Sequence, residues 1–104
     1  VILSGPTDVI SDGKNVVKVE NGTPLFQLHV GSGDMLSSIV GVFDAVADGD
    51  DFEAAQTACL VFAASGQLVA EELGAELPGT FSMKLMYKLH VVTESDIEKI
   101  AKFK

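Results

Sequence analysis

A chain of 104 residues is one domain or part of one, and with 47% hydrophobic and 21% charged residues it is globular rather than disordered. A formal charge of −8 disfavours nucleic acid as a partner, because duplex binding depends on a basic surface that displaces counterions. The longest unbroken apolar run, Ala58 to Ala64, is far shorter than the roughly 20 residues of a membrane span, so no membrane helix is expected.

Val1-Ile2-Leu3-Ser4-Gly5 reads as a buried strand and its exit turn. With neither a starting Met nor a charged signal-peptide head, the expectation is a chain that begins mid-fold, its upstream half absent. Asp8-Val9-Ile10-Ser11 and the run Asn15 to Glu20 flank Asp12-Gly13-Lys14, a turn signal between β-branched stretches that predicts a hairpin. Asn21-Gly22-Thr23-Pro24 is the next break, leading into a short strand, Leu25 to Val30. From Met35 the apolar residues Leu36, Ile39, Val40, Phe43 and Val46 follow helical spacing, ending near Asp48-Gly49-Asp50. A second helix, about Asp51 to Leu73, carries Ala54, Ala55, Ala58, Ala63 and Ala64, small residues suited to close packing in the core. Leu77-Pro78-Gly79-Thr80 breaks the chain again, with Thr80 an N-cap candidate for a helix from about Phe81 to Leu89. Thr93-Glu94-Ser95-Asp96 opens the last helix, with Lys99, Lys102 and Lys104 near its end to complement the dipole. Strands followed by about four helices describe a fragment of an α/β layer in a single domain spanning residues 1–104.

The junction Gly31-Ser32-Gly33-Asp34 carries the chemistry. Glycines let the backbone turn sharply and bring its N–H groups to a ligand, and the following helix adds unpaired donors and the positive end of its dipole. The N–H groups from Gly31 to Asp34, those of Ser32 and Gly33 among them, therefore suit a phosphate. Asp34 sets a carboxylate at the edge of that anion site, where a hydroxyl attacking a phosphoryl group has to lose its proton. The same four residues also describe a tight turn followed by an Asp that merely favours the helix dipole. All seven cationic residues are lysines, so no guanidinium clamp supplements the backbone in this chain.

The order of these pieces resembles the C-terminal part of the hydroxyethylthiazole kinase family, within the ribokinase-like superfamily. The resemblance rests on Ser4-Gly5, Asp8-Val9-Ile10-Ser11-Asp12, Asn21-Gly22, the glycine loop, Pro78-Gly79-Thr80-Phe81 and Val92-Thr93-Glu94-Ser95-Asp96. It implies part of a three-layer ribokinase-like fold and transfer of the ATP γ-phosphoryl group to the primary alcohol of 4-methyl-5-(2-hydroxyethyl)thiazole in thiamine salvage. Mg²⁺ would assist, in a cytoplasmic homo-oligomer that is usually a trimer. By the same resemblance Ser4 matches a residue that contacts ATP, Gly31 a glycine that lies against the substrate, and Asp34 the position that activates the hydroxyl. Well-known members have Cys at that position, while many superfamily relatives have Asp. An ordinary Asp is ionised at neutral pH and an ordinary Cys thiol is mostly protonated, so the base chemistry survives the exchange. Gly-x-Gly-Asp also suits a hydroxymethylpyrimidine or sugar kinase, and a non-catalytic domain of the same fold stays open. The resemblance further implies that an upstream half supplies the rest of the sheet, an ATP-contacting Arg and most of the thiazole pocket.

Other candidates have plainer readings. A single Cys59 cannot form an intrachain disulfide, which fits a reducing cytoplasm, and its Ala-rich surroundings mark it as core. His29 lies just before the loop and could approach a ligand; lone histidines such as His29 and His90 are more often surface or satisfied core residues. Asp48, Asp50 and Asp51 lack the spaced ligands of a calcium loop and read as a solvated turn, and no metal ligand is assigned.

Overall fold

The computed structural model describes residues 1–28, 31–47, 49–73 and 78–101. Its strands are β1 (Ile2–Leu3), β2 (Asp8–Ser11) and β3 (Val16–Val19), joined in an antiparallel sheet of order β1-β2-β3. The helices are α1 (Ser32–Val46), α2 (Asp51–Leu73), α3 (Pro78–Val91) and α4 (Glu94–Glu98).

The hairpin forms where turn chemistry places it. Gly13 adopts φ 95°, and Asp12 Oδ1 accepts from the N–H groups of Lys14 and Asn15 at 2.9 and 2.7 Å, so β2 and β3 pair from Asp8↔Val19 to Ser11↔Val16. These bonds hold the Asp12 carboxyl below the ordinary Asp range. The first strand departs from expectation. It lies at the sheet's edge rather than buried, with Val1 and Leu3 95% and 68% exposed, because among the described residues it pairs with β2 alone.

The larger correction concerns Leu25 to Val30. Pro24–Leu28 is a 3₁₀ turn, not a strand, while His29 and Val30 lie outside the described residues. Pro24 fixes φ near the helical value, and Thr23 completes the turn: its Oγ1 accepts from Leu25 N–H and its carbonyl from Phe26 N–H, both at 3.3 Å. Leu25 and Phe26 pack among the helices instead of taking a place in the sheet.

Helix α2 organises the packing. On one side the sheet buries Ile10 and Val19 against its Cys59 and Ala63; on another, Leu25, Phe81 and Leu85 pack on its Phe62 and Val69. Leu36 of α1 touches both clusters. A helix covered on several sides needs small residues, and Ala54, Ala58, Ala63, Ala64 and Gly66 are all buried. Helix α3 starts at Pro78, so Thr80 lies in its first turn rather than capping it; proline suits a first helical position because its missing N–H would have no partner there. Helix α4 opens as expected, with Thr93 Oγ1 accepting from Asp96 N–H at 3.2 Å and Asp96 Oδ2 from Thr93 N–H at 3.1 Å. Lys99 caps its end, and Lys102 and Lys104 lie outside the described residues.

Candidate functional site

Three segments far apart in sequence converge on one cavity of about 380 Å³. The turn after β1 brings Ser4 and Gly5, the segment after β3 brings Glu20 to Pro24 and Phe26, and the helices bring Gly33, Leu36, Phe62 and Ala63. The aromatic and aliphatic side chains make an apolar wall, and Ser4, Asp8, Glu20 and Asn21 supply polar groups, the usual division in a small-molecule site.

Hydrogen bonds anchor the polar elements near and far along the chain. Gly5 N–H donates to Asp8 Oδ1 at 3.1 Å, closing the turn that carries Ser4. Asp8 is 8% exposed; burial raises its carboxyl above the ordinary Asp range, and the Gly5 N–H works against that rise. Asn21 is buried and spans two elements, its Nδ2 donating to Gln67 Oε1 of α2 at 2.8 Å and to the Ile100 carbonyl at 2.6 Å. Gln67 Oε1 also accepts from Gly22 N–H at 3.2 Å, and Gly22, at φ 137°, adopts a conformation that side chains disfavour.

The glycine junction is the N-terminus of α1. Gly31 is the N-cap at φ 95°, makes no side-chain cap bond, and accepts the first helical bond from Met35 N–H at 3.0 Å. The N–H groups of Ser32, Gly33 and Asp34 therefore head a 15-residue helix with no capping side chain from Gly31, where the helix dipole favours an anion. Among the described residues a Cβ added to Gly33 would meet no atom within 4 Å, so none of them requires its small size, and its backbone lies open to the cavity.

Among the positions marked from sequence, Ser4 and Gly33 share this cavity. Gly31, Ser32 and Asp34 sit at the same helix start, and Asp34 is exposed. Sequence reasoning missed the cavity roles of Asp8, Phe26 and Asn21. For Asp8 a signal existed: alternation along β2 sets it on the same face as buried Ile10, an unusual place for a carboxylate without a task.

Cys59 is fully buried, and burial, with the nearby Asp8, pushes its thiol up to about 12, which leaves it inert. His90 is exposed on α3, and His29 and Asp48 lie outside the described residues. Asp50 is a helix-start residue, its Oδ1 accepting from Glu53 N–H at 3.0 Å. Among the described residues no three His, Cys, Asp or Glu side chains are grouped to hold a metal ion.

A model of the "Hydroxyethylthiazole kinase family" matches residues 1–95. The chain is 63% identical over 102 residues to a hydroxyethylthiazole kinase of Lactiplantibacillus plantarum and 60% identical over 103 residues to one of Levilactobacillus brevis, covering 98% and 99% of this chain and 39% of each relative. The solved hydroxyethylthiazole kinase of Pyrococcus horikoshii OT3 superposes with a TM-score of 0.92 at 32% identity, over 100% of this chain and 39% of that one. The three strands and four helices thus correspond to part of a ribokinase-like fold, and the chain spans about two fifths of the length of the relatives it matches.

Proposed function

Because the chain belongs to the hydroxyethylthiazole kinase family, we propose that it forms the C-terminal part of an enzyme that transfers the ATP γ-phosphoryl group to the primary alcohol of 4-methyl-5-(2-hydroxyethyl)thiazole, in thiamine salvage. The observation that carries this reading is the meeting of Ser4 and Gly33 in one cavity beside the uncapped start of α1. In this reading Ser4 donates its hydroxyl to an ATP phosphate oxygen. The N–H groups of Ser32 and Gly33 hold the transferring phosphoryl group, Gly31 lies against the alcohol, and Asp34 accepts the hydroxyl proton. A loose transition state asks for positioning and charge stabilisation more than for a strong base, which suits backbone donors on a rigid helix.

Mg²⁺ bound with ATP would supply neutralisation of charge on its phosphates. No residue of this chain is assigned to hold it. The enzyme is a cytoplasmic homo-oligomer, a trimer. A buried, unbridged Cys59 supports its cytoplasmic place. Asp at position 34 favours testing relatives' substrates in parallel. Full-length protein presented with thiazole alcohol, hydroxymethylpyrimidine and sugars is expected to phosphorylate the first; turnover of either other class alone would reassign the substrate.

A further inference from the structure

Phe26 is held from three directions. Its ring lies 4.8 Å from that of Phe62 at a tilt of 33° and meets Phe81 edge-on at 5.4 Å. The third contact is backbone: a Cβ built on Gly66 of α2 would lie 2.5 Å from Phe26 Cε2 and overlap Cζ as well. Among the described glycines this is the position where an added methyl collides with another residue. The neighbouring Gln67 accepts from Asn21 Nδ2 and Gly22 N–H, so two consecutive positions of α2 register both ends of the segment that walls the cavity.

Phe62 and Phe81 occupy two of the directions in which the ring could retreat. A side chain at position 66 would therefore drive it toward the cavity that Phe26 already lines. We propose that Gly66 is a positioning residue for the ligand site: the bare stretch of α2 seats the Phe26 ring against the helix and keeps the cavity deep enough for its ligand. The identity of that ligand as ATP rests on the function proposed above, whereas the seating of the ring does not.

The experiment compares full-length wild-type protein with Gly66→Ala, Phe26→Leu and the double variant, measuring melting temperature, ATP affinity by calorimetry, and KM and kcat. Gly66→Ala is expected to weaken ATP binding about tenfold, with kcat changed much less, since overpacking displaces a wall and not a reacting group. In the double variant the smaller residue relieves the collision, and ATP affinity returns to that of Phe26→Leu alone. Unchanged affinity in Gly66→Ala, or equal weakening with and without Phe26→Leu, overturns the proposal. Should Gly66→Ala not fold, a double variant that folds and binds as Phe26→Leu does supports it; one that still fails to fold overturns it, because Phe26 is then not the obstacle. A crystal structure of Gly66→Ala, or of the double variant against Phe26→Leu, reads the seating without any ligand, and a Phe26 ring unmoved by Gly66→Ala refutes it. Wild-type protein that binds ATP yet phosphorylates no thiazole alcohol removes the substrate assignment and leaves Gly66 standing, while an active wild type with an indifferent Gly66→Ala removes only Gly66.

Discussion

Asp34 and Asp8 are carboxylates of the same chemistry in opposite surroundings. Asp34 is exposed in the first turn of α1, whereas Asp8 is buried against the cavity and accepts from Gly5 N–H. If Asp34 takes the hydroxyl proton, Asp34→Asn in the full-length enzyme lowers turnover by roughly 10²-fold or more while ATP affinity stays near wild type. Steady-state kinetics beside calorimetry decides it, and unchanged turnover would sink the role. Asp8 predicts a pH effect on stability instead. Its folded-state titration is raised by burial, so its contribution is fully present below the ordinary Asp value of about 3.9 and is lost as pH rises through the raised value. Asp8→Asn, whose Oδ1 can still accept from Gly5, is expected to flatten that part of the profile. Melting curves at acid and neutral pH compare the two proteins, and equal slopes would show that Asp8 is not the group responsible.

At the scale of elements, the start of α1 separates a structural glycine from a functional one. Gly31 needs its glycine for φ 95°, whereas Gly33 sits within a helix turn with open space where its Cβ would be. Gly33→Val is therefore expected to fold with a melting temperature close to wild type, yet to lose phosphoryl transfer and the capture of a phosphate or sulfate ion between Gly31 and Asp34. Unimpaired transfer, with anions settling elsewhere, would reject this helix start as the phosphate site. The hairpin and the Thr93 cap were legible in sequence because their signals are local: a glycine in a turn, and a hydroxyl three residues before a carboxylate. Leu25 to Leu28 misled because a short apolar run states burial without stating conformation, and Pro24 with Thr23 tipped it into a 3₁₀ turn.

For the molecule as a whole, the notable residues are the apolar ones left outside. Val42 and Val46 on α1 are 65% and 75% exposed, and Met83, Met86, Tyr87 and Val91 line the outside of α3. Exposed groups of this kind mark surfaces that other protein covers. The 104-residue chain expressed alone is thus expected to self-associate and to show negligible kinase activity. Adding the upstream part that its relatives possess is expected to restore a monodisperse, ATP-binding enzyme. Size-exclusion chromatography and a phosphorylation assay on both samples settle the matter, and a well-behaved, fully active 104-residue monomer would refute it.

Sequence by itself determined the family, the β2–β3 hairpin, the four helices and the glycine junction, since these depend on neighbours within a few positions and on spacing along one chain. Only the tertiary structure brought Ser4 to Gly33, turned Asp8 into a buried carboxylate, tied Asn21 to Gln67 and the Ile100 carbonyl, and set Phe26 on Gly66. Those pairings join residues far apart in the chain, and no local pattern encodes them. They follow from α2 being enclosed by the sheet and its fellow helices, where close packing decides which distant side chains meet.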